Sequence, residues 1–539
     1  MIELKKTERG IRVNEHELPV MDFYDVVVIG GGVAGCAAGM AAGKRGLKTI
    51  ILETFTALGG LTTLGLVNIP LDYVSGLGRE MFQELEAVNA LWHRNTDPEK
   101  HKLVLDRMIK KYNVDVLFHS QVIDSIVEGD AIVGVVIQTK TGPRAIMGKQ
   151  FIDASGDSDA AYYAGAKTVC GRPGDGMSQS CSLEFILSGV DWDRYVTSPQ
   201  KAEDPRWLKA IRRGLESGAL PYEVDNHLNW ITHLPGRPQH CGHDEVSICF
   251  AHSRNCFPVD THDLTRMYFE GREQANFLAK FIKENIDGFQ NSWLSSTGAL
   301  MGVRESRRIV GEYVLTASDI ANFRKFDDVI AMSTHGYDIH NYEGPGNIKW
   351  AAMEVDGKTQ YVICNASGWG STTPPPNGAP LVDAKGRPGD EAEFEPGGYY
   401  DIPYRALVPE KLDNLLAAGR NLSSDVEAQS GARLIMCCFS MGEAAGTAAA
   451  LCIKKGIRPR DLDRVELQSE LINSGVNIGQ RTRSIPGVSQ EVLDHFANAY
   501  KVDEYGNREL KSKEWMEQQK KEGGRRLDLD LQNPWDGKW

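Results

Sequence analysis

No C-x-x-C occurs among the ten cysteines of this 539-residue chain, and no secretory h-region precedes its first apolar run. Scattered cysteines without a secretory signal are expected as reduced thiols, and the expected location is the cytoplasm. Positive charge is in short supply: 60 Lys and Arg against 73 Asp and Glu leave a net charge of −13. That balance argues against general nucleic-acid binding, which needs a basic face. Long uncharged runs are missing except at residues 26–43, about the length of a membrane span. There Gly30, Gly31, Gly32, Gly35 and Gly39 interrupt the stretch. Valines precede the turn and alanines follow it, a strand-then-helix composition, so no membrane association is expected. No fixed-period repeat, Ser/His/Asp elbow or P-loop lysine appears, which removes repeat architectures and two common catalytic signatures.

What is present starts at Asp25-Val26-Val27-Val28-Ile29, runs through Gly30-Gly31-Gly32-Val33-Ala34-Gly35, and continues to Thr49-Ile50-Ile51-Leu52-Glu53. Gly30, Gly32 and Gly35 have the G-x-G-x-x-G spacing, between a buried strand and an alanine-rich helix. In that context the first glycine makes a tight turn, the second lets backbone approach a pyrophosphate, and the third lets helix and strand pack closely. The helix N-terminus offers free N–H groups to phosphates. Glu53 closes the second strand, placed to accept from a ribose hydroxyl. The chemistry implied is dinucleotide binding.

The length suffices for two to four domains. Residues 1–24 read as a short strand or arm. A glycine-rich loop, Gly59-Gly60-Leu61-Thr62-Thr63-Leu64-Gly65, follows the second strand. Residues 79–93 and 98–112 read as helices, Val114–Phe118 as a strand, and 121–151 as an antiparallel meander broken at glycines. Lys149–Ala154 reads as a separate apolar strand ending in Ser155-Gly156-Asp157. Gly, Pro, Trp and His then become frequent, so 171–400 is taken as an inserted domain with one clear helix, Leu264–Asn285, and a loop over 374–390. Dinucleotide-domain character returns over 401–460, with a strand at Leu415–Ala417 and a small-residue helix at Leu434–Lys454. The dinucleotide domain is therefore split into 25–170 and 401–460. Residues 461–539 read as a polar tail, with Glu509–Gly523 as an exposed helix.

The chain resembles the FAD-dependent oxidoreductases of the glutathione-reductase-like superfamily. More narrowly it is similar to the family related to the flavoprotein part of heterodisulfide reductase, and distantly to fumarate reductase flavoproteins. Four blocks carry the resemblance: Asp25–Glu53 with Gly59-Gly60, Ile152–Asp159, Gly302-Val303-Arg304-Glu305-Ser306-Arg307-Arg308, and Asn414–Leu451. The implied fold is α/β, a two-dinucleotide-binding-domain flavoprotein with a Rossmann-like parallel sheet, a β-meander and an inserted α+β cap domain. The implied cofactor is FAD. Gly30, Gly32, Val33, Ala34, Gly35, Gly59 and Gly60 would meet its pyrophosphate region and Glu53 its adenosine ribose. Ala154, Ser155, Gly156 and Asp157 would lie along the adenosine–diphosphate half, and Gly419, Arg420 and Asp425 along the ribityl chain. A helix beginning near Met441, carrying Gly442, Ala444 and Ala445, would aim its positive end at the flavin's pyrimidine edge. Two departures modify the picture. No C-x-x-C-x-x-C exists, so no iron–sulfur cluster is expected. No histidine falls in 54–66, so attachment is expected to be noncovalent.

Candidate substrate-side groups are Arg304, Arg308, His335, His340 and Arg433. A guanidinium fork suits a carboxylate or phosphate, although Arg304, Arg307 and Arg308 equally suit structural pairing with Glu305 or Glu312. His335 and His340, near Asp338, suit general acid–base work or plain loop packing. His227, His233, His240, Cys241, His243, Cys249, His252, Cys256 and His262 cluster without a standard zinc spacing. On a strand over 245–252, Cys249 and His252 would face opposite sides, so no metal is expected. Cys437-Cys438 are expected as packed thiols. The expected reaction is hydride transfer between flavin N5 and a small organic substrate. The alternative is a non-catalytic FAD scaffold or an electron-transfer component working with a partner. Homo-oligomerisation stays open as well; Trp515, Trp535 and Trp539 are expected to fold back on their own domain, with docking on another surface as the alternative.

Overall fold

Val26, Val27, Val28 and Ile29 are all buried, as a strand covered on both faces requires. They end the first long strand, β1 (Val20–Ile29), which begins inside the expected arm at 1–24. The computed structural model describes residues 4–7, 10–13, 17–92, 94–221, 224–236, 244–333, 335–348, 350–355, 358–363, 379–382, 399–479 and 485–486. The expected helix at 509–523 and the three tail tryptophans lie outside them, as does most of the expected loop at 374–390.

A seven-stranded sheet places β1 at its centre. Thr49–Leu52 and Val114–Leu117 lie parallel on one side. On the other side runs Gly142–Asp153, here β2, a single strand of 12 residues. The meander's last strand and the strand entering Ser155 are therefore one element, not two. Its first half pairs antiparallel with Ala131–Thr139, and its last residues pair parallel with the returning Leu415–Ala417. Gly142 and Pro143 are the first residues of β2, paired with Thr139 and Gln138, and follow the turn at 140–141.

The helix after the glycine turn, α1 (Val33–Gly43), is buried almost all round. Its partner is α2 (Ile435–Lys455). Small residues face each other because the backbones nearly touch: a Cβ added at Gly442 would lie 2.0 Å from Ala34 O, and one at Gly446 2.2 Å from Ala38 O. α2 is also long and apolar enough to cross a membrane, although it carries Glu443; 89% of its most apolar window is buried inside the protein.

A second, antiparallel sheet orders Trp230–His233, Asp244–Cys249, Phe185–Val190 and Trp293–Thr297. The long helix Thr261–Asn285 contributes Ala275, Leu278, Phe281 and Ile282 to its core, beside Phe185 and Leu187. The divisions expected at 171 and 400 are not sharp. Leu315, Ile320, Val329 and Ile330 share a core with Val26, Ala38 and Ala445. Nor is 461–539 tail throughout: the helix Arg464–Asn473 buries Leu467, Leu471 and Ile472 in that same core. Similarly, the helix expected over 79–93 spans Gly76–Ala87, and Leu91–Trp92 form a short strand.

Candidate functional site

The three spaced glycines are needed for three different reasons. Gly30 has φ +94°, and a Cβ there would lie 2.6 Å from Ala154 O. A Cβ on Gly35 would lie 1.8 Å from Gly30 O. At Gly32 a Cβ would meet nothing within 4 Å, so its backbone faces open space. Gly32 also caps α1 without any side-chain hydrogen bond, and no acid sits in the first turn, at Val33 or Ala34. The first N–H groups of α1 thus lack a side-chain acceptor. Gly59 (φ +95°) bridges Gly32, and Gly60 runs beside it. Glu53 holds the turn: its carboxylate accepts from Gly31 N–H at 2.6 Å and Phe55 N–H at 2.7 Å, and burial pushes its pKa up. Open backbone, an uncapped helix start and Cβ-free walls make a cradle that fits a pyrophosphate.

Ala154, Ser155, Gly156 and Asp157 leave the end of β2 beside this cradle. Arg420 ties them to the late segment, donating to Gly156 O at 2.9 Å, Asp157 Oδ1 at 2.7 Å and Val303 O at 3.0 Å. Gly419 (φ +106°) lies against α1, 3.2 Å from Ala34 Cβ if given a Cβ of its own. Asp425 has structural work instead of a free carboxylate: it accepts from Ala428 N–H and Ala317 N–H, each at 2.7 Å. The expected helix start near Met441 is corrected too. α2 begins at Ile435, so Gly442, Ala444 and Ala445 are interior and packed against α1. Leu434 and Ile435 occupy the helix start.

Those two residues line a cavity of about 190 Å³. Around it stand Arg304, His335, Asp338, His340 and Arg433, with Glu184, His227 and Cys249 from the second sheet's side. Asp338 is the pivot. Arg433 Nη2 donates to its Oδ2 at 2.9 Å, and His340 Nε2 lies 3.3 Å from its Oδ1. Burial alone would raise the Asp338 pKa, but His340 and Arg433 outweigh it and hold it well below the carboxylate range. An ionised carboxylate only accepts, so His340 Nε2 carries the proton. His340 Nδ1 is then a lone-pair acceptor, buried and without a partner among the described residues. Burial, and then the charge of Arg304, push His340 below its ordinary pKa.

His340 stacks on His252, with ring centroids 5.5 Å apart. Arg304 Nη2 lies 3.3 Å from His252 Nε2. A guanidinium has no acceptor, so His252 Nε2 holds the lone pair. The Nδ1 proton faces Asp225 Oδ2 at 3.2 Å. Burial pushes His252 down to about 3, which keeps the ring neutral.

A family model described as FAD dependent oxidoreductase matches residues 25–367 and 376–471. The chain belongs to that family. It is an FAD-dependent oxidoreductase with a mixed α/β, Rossmann-like fold. Among curated relatives it is 29% identical over 229 residues to the tRNA uridine 5-carboxymethylaminomethyl modification enzyme MnmG of Geotalea uraniireducens, covering 37% of this chain and 35% of that protein. The MnmG of Dichelobacter nodosus is 24% identical over 292 residues, covering 49% of this chain and 42% of that protein. The chain thus spans about a third to two fifths of the length of these relatives. Among solved structures, a geranylgeranyl bacteriochlorophyll reductase-like protein from Thermoplasma acidophilum aligns at a TM-score of 0.38 and 14% identity, covering 88% of this chain and 99% of that one.

In this oxidoreductase the arginine block divides by role. Arg304 faces the cavity. Arg307 pairs with Asp159 and lies over the Tyr162 ring at 4.4 Å. Arg308, expected beside the substrate, is instead buried against Glu305 at 3.8 Å and the carbonyls of Ser424 and Gly171. Cys249 and His252 do not face opposite sides, because the strand ends at Cys249 and the chain turns; Sγ and Nε2 come within 3.8 Å. His240, Cys241 and His243 lie outside the described residues. Among the described residues no group of three metal-ligating side chains converges. Cys437 and Cys438 are packed thiols, both pushed up by burial. Sequence reasoning singled out neither Glu184, which lies just before the strand Phe185–Val190, nor Asp225, which lies in an irregular segment.

Proposed function

We propose that this oxidoreductase dehydrogenates a small hydroxylated organic compound, with His340 taking the hydroxyl proton. The observation that carries this reading is the Arg433–Asp338–His340 chain, which leaves His340 Nδ1 as an unpartnered base at the cavity. Bound FAD supplies a two-electron acceptor at N5. The residues to hold it are Gly30, Gly32, Val33, Gly35, Gly59 and Gly60 around the pyrophosphate, with the start of α2 beside the cavity. As the substrate C–H leaves as hydride, its O–H proton passes to His340, and Asp338 stabilises the imidazolium formed. Its lowered pKa leaves His340 unprotonated at neutral pH, able to take a proton at Nδ1 and with no acidic proton to give there. That favours dehydrogenation over reduction of an activated double bond. Leu61, Ile69 and Trp230 offer an apolar wall.

A tRNA substrate is disfavoured by the net charge of −13, since phosphate-backbone recognition needs a basic face. FAD attachment is proposed as noncovalent. The Gly302–Arg308 and Asn414–Leu451 blocks support the narrower kinship with the heterodisulfide reductase flavoprotein. Rapid mixing of the FAD-loaded protein with sugars, hydroxy acids and amines tests the reaction: at least one hydroxylated donor bleaches the flavin. A flavin that no donor reduces, and that no enoate reoxidises once reduced, would leave an electron-transfer or scaffold role.

A further inference from the structure

Two buried groups at the cavity are unsatisfied in complementary ways. Arg304 is 8% exposed. It donates to Ser180 O at 2.5 Å and approaches the neutral His252 ring, and no carboxylate among the described residues lies within ion-pair distance of it. Of the other arginines nearby, Arg433 is paired with Asp338 and Arg308 with Glu305. A buried cation without a counter-charge is costly, and a ligand anion removes that cost. Glu184 is 1% exposed. Its Oε1 accepts from Ser182 Oγ at 3.2 Å, and its Oε2 has no partner among the described residues.

We propose that Arg304 and Glu184 together form the receptor for a carboxylate group on the substrate. One ligand oxygen accepts from the Arg304 guanidinium and the other from the Glu184 O–H, so all three groups become satisfied. The pairing needs Glu184 to be protonated. Burial raises it to about 8; Cys249, Arg304 and Ser182, the groups that face it, lower it only in part. The remaining ionisable groups around the cavity leave the balance positive. Asp338 is neutralised by Arg433, and burial lowers His227 to about 4, so its ring is neutral. A single carboxylate matches the Arg304 charge and one acid proton. Inorganic phosphate is the competing anion, and the second cation it would need is turned away: Arg433 is paired with Asp338, and the Arg206 guanidinium is directed at the carbonyls of Leu228 and Asn229. The inference deepens the dehydrogenase reading and rests on it only in calling the ligand a substrate.

The test titrates FAD-loaded protein with benzoate and propionate, with benzamide and propionamide as neutral matches, and with inorganic phosphate. Flavin difference spectra and calorimetry report binding without turnover. At least one carboxylate is expected to bind about tenfold or more tighter than its amide, the worth of a charge-assisted hydrogen bond. Its affinity falls as pH rises through about 8. R304Q, checked for retained FAD, loses roughly ten- to a hundredfold in affinity. E184Q still binds at neutral pH, because its amide donates, but loses the pH dependence. Amides binding as tightly as acids, phosphate binding in place of carboxylates, unchanged affinity in R304Q, a pH profile that survives E184Q, or no binding at all overturns the proposal. H340N separates the two readings: it binds the carboxylate normally even where flavin reduction fails.

Discussion

Single atoms decide what each glycine in the turn does, and the consequences are measurable. Gly32→Ala adds a methyl to open space, so the protein folds with wild-type stability and loses FAD affinity, read by flavin retention after gel filtration. Gly35→Ala drives a methyl into Gly30 O and lowers stability by at least about 1–3 kcal/mol, the cost of overpacking. Equal behaviour of the two variants would refute the cradle. At His340 the prediction concerns rate and pH. His340→Asn slows flavin reduction by roughly 10²–10⁴, the usual worth of a positioned base. In the wild type the reductive rate stays level through the ordinary histidine pKa of 6.5 and falls only at lower pH, because the folded pKa is depressed. A rate that halves at or above 6.5 would remove His340 from the role.

At the scale of elements, contacts between helices explain why the late small-residue segment is there. Gly442 and Gly446 exist for the α1–α2 contact. Gly442→Val is therefore expected to unfold or strip the dinucleotide domain, whereas a helix start aimed at the flavin from Met441 would have tolerated it. Glu443, on the same helix, is buried and accepts from Leu77 N–H at 3.0 Å, bracing the start of the helix Gly76–Ala87. Burial pushes its pKa up to about 7. A raised carboxylate pKa means the folded state binds the proton more tightly. Its contribution is complete below the unfolded value near 4.5 and is lost as pH rises toward 7. Glu443→Gln should abolish that loss, a gain on the order of 3 kcal/mol at pH 8 by denaturant melts. No difference between the variants at pH 8 would mean the carboxyl is not held neutral.

For the whole molecule, the chain returns to its first sheet after the long insertion and then goes on folding. Removing residues from 464 onward takes Leu467, Leu471 and Ile472 out of the main core. That truncation should lose stability and FAD together, whereas ending the chain after residue 505 leaves every described element in place and is expected to keep both. A yellow, stable protein ending at 463 would show that the last helix is dispensable. FAD itself is expected in the supernatant after acid precipitation; colour retained in the pellet would show a covalent bond.

The motif between Asp25 and Glu53 was legible because its constraints are local: a buried strand, a φ-positive turn and a helix start are each written within a few residues. The same holds for the small-residue helix, whereas nothing local marked off Arg304, which lines the cavity, from Arg308, which does not. Three things depended on tertiary contact. Arg307 and Arg308 look like Arg304 in sequence, and only the positions of Asp159 and Glu305 separate structural arginines from the uncompensated one. β2 reads as two strands because its halves have different neighbours, one antiparallel and one parallel. Glu184, Asp225 and His252 approach His340 and Arg304 from elements distant in sequence, so neither their burial nor their protonation states could be written in any local stretch. Local sequence therefore determined the dinucleotide cradle, and long-range packing decided which charges stay unpaired and hence what the cavity can hold.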